Sequence, residues 1–359
     1  MDVAGRQIRP ARLLVGRLRP VSAIQASVPA TPVARRGRLT FLGGRVLEYL
    51  AVLIVALTLN FLLPRALPGG PLKLFGSPEA LARLTAEERA QIATEYGFGD
   101  PIHLQFLDYL HSVVTLDLGT SLSDGRDVTA AIGDALPWTL LLVGTSIVAT
   151  TLIGITLGVI GGIRRREGKG AFTLTGAIVV DSIPQFWLAM LLIVWFGVKW
   201  QIAPTFGATG PDGTTVAGLA QHLVLPVATL TITGIGYIFM YTRSSMLSVL
   251  TSEPVQHAHA RGIPRGRLVR RHVLRPALLP VHTLIMLDIG FLAAGAIVVE
   301  TVFAYPGLGR LTFGAIAARD YPLMQGTFLV LTLMVVLMNL LADLTYPLLD
   351  PRARTGGDR

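Results

Sequence analysis

Cysteine is missing from all 359 residues, so neither a disulfide nor a thiolate metal centre can form within the chain. Charge is scarce: 15% of residues are Asp, Glu, Lys or Arg against 52% hydrophobic, outside the usual balance of a soluble domain. Short alternating strand segments are missing too, which argues against a β-barrel. The sequence holds no phosphate loop. Gly168-Lys169 comes nearest, but Ile163 stands where the motif needs its first Gly, and Gly170 where it needs Ser or Thr. Any ATP that drives this protein is therefore hydrolysed on another chain. HExxH, a Ser/His/Asp set and paired catalytic carboxylates at workable spacing are also missing, which ranks an intramembrane enzyme last.

What is present is apolar and comes in blocks. A helix crossing the ~30 Å hydrocarbon layer needs about 20 mostly apolar residues. Six segments meet that length, at 46–64, 137–162, 172–198, 222–248, 277–299 and 324–347. The expected fold is an all-α polytopic membrane protein with six transmembrane helices. The net charge of +9 follows the same plan, because 23 of the 31 Lys and Arg fall in 1–45, 163–170, 243–275 and 348–359. That asymmetry predicts both termini in the cytoplasm and accounts for the charge without nucleic acid. Residues 1–43 read as a basic, Pro- and Ala-rich cytoplasmic tail without a cleavable signal, and 350–359 as a second tail. Residues 44–64 form the first span, 65–135 an extracytoplasmic helical loop, and 136–349 the core with a cytoplasmic loop at 250–275.

Punctuation supports these boundaries. "LPRALPGGP" (Leu63 to Pro71) ends the first span. In the outer loop, Ser77-Pro78-Glu79, the pair Thr85 and Glu88, and Asp100-Pro101 each open a short surface helix. Pro184, inside "DSIPQFW", is expected to loosen the third span. Between spans four and five, Glu253 to Arg261 reads as a short polar helix with small residues Ala258 and Ala260. Gly262 ends it and Pro264 starts another. A helical wheel sets Leu268, Val269, His272 and Val273 on one side and Arg267, Arg270, Arg271 and Arg275 on the other. His257 and His259 lie two apart and point away from each other, which favours structural or interfacial histidines over a metal site.

"HAHARG" followed by "RRHVLRPALLP" resembles the cytoplasmic coupling loop of binding-protein-dependent ATP-binding-cassette permeases, in the dipeptide/oligopeptide/nickel branch. Against the wider superfamily pattern, only Ala258 of the EAA positions and Leu274 of the I-x-L-P positions survive. Pro254 and Pro276 replace an aromatic and an Asn usual in the branch. "LPGGP", "YGFGDPIHLQFLDYL", "LDLGTSL", "SIPQFW", "ETVFAYPGLGRL", "RDYPLMQG" and "NLLADLTYPLLDPRAR" are similar to that branch in the same order, over about residues 44–354. The large outer loop fits the first-permease (B-type) subunit. The resemblance implies a type I importer permease fold and four kinds of partner: a second homologous permease, two cytoplasmic ATPase subunits, an extracytoplasmic solute-binding protein and the lipid bilayer. No cofactor is expected on this chain, ATP and Mg being held by the ATPases. Coupling is expected through Glu253, Gln256, His257, Ala258, Ala260, Arg261, Gly262 and Arg271, with Ala258 against an ATPase groove and Gly262 as hinge. Peptides lead as substrate, with nickel chelates or oligosaccharides as alternatives, and a bacterial cell membrane is the expected location.

Carboxylates in or beside the spans are the remaining candidates, since burying one near the bilayer centre costs about 2.5–3.5 kcal/mol on insertion scales. Asp181, Pro184, Asp288 and Glu300 are candidates for the translocation path, Glu300 at its outer gate. Asp288 balances evenly between lining the path and fastening helices. Asp343 and Asn339 read as interhelical fasteners. A proton-coupled secondary transporter using Asp181 and Asp288 is the competing reading; it predicts an inverted repeat that the sequence does not display, and leaves the basic loop unused. A non-transporting receptor would not need a hinged loop either.

Overall fold

The computed structural model describes residues 38–66, 100–164, 170–210 and 215–349, with single positions 85, 87 and 213. The tail before residue 38, Ser77-Pro78-Glu79, Glu88, residues 165–169 and the tail from 350 lie outside the described residues. Among the described residues all regular secondary structure is helical, apart from two isolated antiparallel bridges, Thr120 with Asp127 and Gly210 with Gly213.

The first helix, α1 (Arg38–Ala66), is followed among the described helices by α2 (Ile102–Thr115), which opens at Asp100-Pro101 as the sequence predicts. Phe61 packs on Phe106 and Tyr109, Asn60 Nδ2 donates to Tyr109 Oη at 3.0 Å, and Arg65 donates to Gln105 Oε1. α2 is thus fastened to the end of α1.

The next helix, α3 (Val128–Ile163), starts nine residues before the predicted 137. Asp127 caps it by accepting from Ala130 N at 2.7 Å, and Pro137 is carried within it. The third span, which Pro184 is expected to loosen, is sharply broken. It is two helices, α4 (Gly170–Asp181) and α5 (Gln185–Leu192) with its π-helical continuation Ile193–Lys199, bent by 93°. Pro184 explains the bend: it cannot donate a backbone bond, it disfavours helix at Ile183, and it is itself extended at ψ 132.

Helix α6 (Val216–Leu250) is capped by Thr215, which accepts from Gly218 N at 3.1 Å. Two short helices follow, α7 (Glu253–Ala260) and α8 (Arg265–Leu268), the latter continuing as a π turn, Val269–Val273. Then come α9 (Leu274–Val302), α10 (Leu308–Ala318) and α11 (Tyr321–Leu349). Among the described residues, α3, α6 and Tyr321–Thr345 of α11 are long and apolar enough to cross a bilayer, and the bent pair counts as a further span.

The tightest packing joins α3 to α6. Gly154, Gly158 and Gly162 recur every four residues on α3 and meet Ile238, Thr242 and Met246. A Cβ on Gly158 would lie 2.5 Å from the Thr242 Cβ, so only bare backbone lets the helices come this close. Elsewhere α3 leaves Val148 and Leu152 exposed, as a surface facing lipid or another subunit would be.

Candidate coupling loop and intramembrane site

The loop after α6 folds into a two-faced wedge. Val255 and Ala258 of α7, then Leu268, Val269 and Val273, are buried with Met246 of α6 and Ala277 of α9. Glu253, Gln256, His257, His259, Ala260 and Arg261 are exposed, as are Arg267, Arg270, Arg271 and Arg275. One expectation is corrected here: Ala258 faces the chain's own apolar cluster and not outward, whereas Ala260 takes the outer position. His272 is a second correction. The wheel sets it beside Val269 and Val273, but the π turn adds residues to the repeat and leaves it exposed.

Gly262 turns the chain between the two short helices at φ +78°, the left-handed region that favours glycine. Its N–H donates to His259 O at 2.9 Å and the next N–H to Ala258 O, which closes the end of α7. Arg265 then reaches back and donates from Nη2 to Ile163 O at 2.7 Å. Ile163 is the last residue of α3, so a guanidinium sits on an open carbonyl at the negative end of that helix. With Met246 packed on Gly162, the wedge is attached to both members of the α3–α6 pair.

Deeper in the bundle, Asp181 ends α4 and lies against Gly236 of α6, where a Cβ would come within 2.8 Å of its own. Asp288 is half-buried on α9. Tyr237 of α6 interacts electrostatically with both carboxylates, and its ring packs on Tyr241 with centroids 4.7 Å apart. Two of the predicted path residues thus lie within electrostatic range of Tyr237, and Pro184 places the bend three residues beyond Asp181. The tyrosines escaped the sequence reading, although aromatics four apart in "GYIFMYTR" share a helix face.

Glu300 lies apart from that group. It is fully buried, accepts from Thr139 Oγ1 at 2.6 Å and Arg310 N at 3.1 Å, and is also bonded by Gly309 N. Thr139 Oγ1 in turn accepts from Leu308 N at 2.7 Å. The acid caps the first turn of α10 from the end of α9, with α3 as the third partner. Asp343 joins helices as expected, accepting from Tyr49 Oη at 2.8 Å.

Asp320 was not singled out in the sequence. It is buried between α10 and α11 and accepts from Ser121 Oγ at 2.6 Å, Ser123 Oγ at 2.8 Å, Ser123 N and Leu323 N. Burial pushes its pKa up, but these bonds outweigh burial and hold the carboxyl below the usual Asp value. The N-cap pattern Asp320-Tyr321-Pro322 was the available signal.

Residues 154–355 match the family described as "binding-protein-dependent transport system inner membrane component". The glutathione transport system permease protein GsiC of Salmonella typhimurium is 36% identical, over 86% of this chain and 97% of that protein. The dipeptide transport system permease protein DppB of Escherichia coli strain K12 is 33% identical, over 82% of this chain and 93% of that protein. Among solved structures, the MetNI methionine ABC transporter in inward facing conformations superposes with a TM-score of 0.52 at 17% identity, covering 61% of this chain and 96% of that one, a likeness of fold.

Proposed function

The chain belongs to the binding-protein-dependent transport system inner membrane component family, and from that premise we propose how this permease subunit works. It is a membrane permease of an ATP-driven importer, working with ATPase and binding-protein components. Short peptides are its solute; the glutathione and dipeptide permeases that align along most of their length support that choice. Two ATPase subunits hold ATP and Mg, a second homologous permease completes the bundle, and a binding protein delivers solute to the outer mouth. The distribution of Lys and Arg supports cytoplasmic termini.

The observation that carries this reading is the two-faced wedge. Its polar face, with Glu253, Gln256, His257, Ala260 and Arg261, is free to dock an ATPase. Its apolar face is set into α3, α6 and α9, so a displacement of α7 cannot remain local. The Arg265–Ile163 bond and the Met246–Gly162 contact carry the displacement into the α3–α6 pair. Helix α6 then bears on Asp181 through Gly236 and presents Tyr237 to Asp288. ATP-driven closure thereby reshapes the surroundings of the acids that line the path.

The test is uptake of a labelled dipeptide into proteoliposomes holding both permeases and both ATPases. Uptake that needs internal ATP and external binding protein supports the reading. Uptake driven by a proton gradient without ATP returns the chain to the secondary-transporter class.

A further inference from the structure

At the end of α3 opposite the coupling wedge lies a cavity of about 470 Å³ between the start of α3 and the first turns of α10. The 36 residues of α3 separate the two places by roughly 50 Å at 1.5 Å per residue. That volume falls within the range of small-molecule sites, about 300–1,000 Å³. Trp138 and Leu311 form apolar walls, while Asp124, Arg126, Asp134 and Arg310 supply charge.

The charges differ in how far they are already used. Arg126 binds Asp124 at 2.8 Å, and Asp124 is held down to about 2 by a hydrogen bond to Ser121 and by Arg126, so this pair is satisfied. Asp134 touches Arg126 only at 4.0 Å and is 82% exposed. Arg310 pairs with no carboxylate through its guanidinium among the described residues. Its Nη1 donates to Ala304 O at 2.6 Å, and its backbone N–H is fixed by the buried Glu300. The fold therefore holds one guanidinium in place by its neighbours, with donors left over, and one carboxylate almost free, around a cavity with an indole wall.

We propose that this cavity is a binding site for the zwitterionic form of a short peptide, its carboxylate on Arg310 and its ammonium on Asp134. A planar guanidinium matches a carboxylate with two parallel bonds, and the opposed charges reject an ion of either single sign. The proposal rests on the importer reading and deepens it, since it assigns recognition of peptide termini to the permease itself.

The chain has no cysteine, so Gly314→Cys places a single thiol in the cavity, and no atom lies within 4 Å of a Cβ there. In the assembled complex, its partners stripped of cysteine, alkylation of that thiol by an impermeant maleimide is timed with dialanine, its C-terminal amide and its N-acetyl form. Dialanine should slow the reaction at concentrations about tenfold lower than either derivative, and Arg310→Gln should erase its advantage over the C-terminal amide, the derivative that lacks the carboxylate. Arg310→Lys, which keeps the charge but not the planar fork, should retain part of it. Equal protection by all three compounds overturns the proposal. So does a thiol that dialanine never protects, including one sealed by a partner subunit. Dialanine uptake driven by ATP and binding protein, measured in the same preparation, keeps the two questions apart. If uptake persists without protection, this site is refuted and the importer reading stands.

Discussion

Gly158 is the position where the packing of α3 on α6 is least forgiving. A methyl group there would sit 2.5 Å from the Thr242 Cβ and 3.0 Å from the Phe239 carbonyl oxygen. Carbon atoms in contact prefer about 3.5–4.0 Å, so the helices must part by roughly 1–1.5 Å at this point. Neither the Thr242 Cβ nor the backbone behind it can swing aside as a long side chain would. Overpacking of this kind costs about 1–3 kcal/mol, partly offset in Gly158→Ala by the ~0.5–1 kcal/mol that Ala gains over Gly in a helix. Gly158→Val removes room for any such compensation. The loss should not stay at Gly158, because Gly162 and Met246 one turn on belong to the seat of the coupling wedge. The assay is the thermal midpoint of the purified complex together with its substrate-stimulated ATP hydrolysis. Gly133→Ala and Gly144→Ala on the same helix serve as controls, having no atom within 4 Å of the new methyl. Gly158→Val should lower the midpoint and the stimulation while both controls leave them near wild type. If Gly158→Val behaves like Gly144→Ala, the close α3–α6 contact is not what holds the pair.

Three further outcomes follow from the same geometry. Gly262→Val forces a β-branched residue into φ +78° at a cost of about 1 kcal/mol or more, and Ala258→Trp unseats α7 from its apolar cluster; both should reduce stimulated ATP hydrolysis in the reconstituted complex, whereas Arg270→Gln on the exposed face should only dent it. Asp288→Asn should change uptake or solute selectivity in complexes that still assemble, and normal transport of every peptide tested would leave Asp288 a packing residue. Asp320→Ala removes an N-cap and strands two serine hydroxyls, a loss of about 1–3 kcal/mol read as a lower thermal midpoint. Because the folded carboxyl of Asp320 lies below its unfolded value, its contribution is fully present above about pH 4 and fades as pH falls through the folded pKa, so the gap between wild type and Asp320→Ala should narrow in acid.

The sequence made the helices legible wherever length and hydropathy decide them, and less so where a single polar contact does. The apolar runs mark α3, α6 and α11, but the start of α3 depends on Asp127 capping the helix ten residues before Pro137, ahead of the apolar run. Pro184 announces a disturbance, but a bend of 93° also requires α6 to receive Asp181 against Gly236, a long-range contact that periodicity cannot reveal. The coupling loop shows its hinge and arginine face in sequence. The π turn that exposes His272 has no such signature, since a wheel assumes a constant repeat. Glu300 reads as an acid near the outer gate; only the fold brings Thr139, 161 residues earlier, to its carboxylate. Asp320 went unnoticed for the same reason, its serines lying about 200 residues away in the chain.

The claim that matters most is that the polar face of α7 is where the ATPases dock while the apolar face holds the bundle. Single cysteines at Gln256, His257 and Ala260 on the outer face, and at Ala258 on the inner, test it directly in this cysteine-free chain. Each is treated with a short bifunctional thiol reagent in the complex, with a cysteine introduced in turn at positions across the ATPase surface. The outer three should cross-link to an ATPase subunit and lose stimulated hydrolysis once linked, whereas Ala258→Cys should give no intersubunit product. Cross-linking at Ala258 alone, or none at the outer three in a complex that still couples hydrolysis to uptake, would contradict the account.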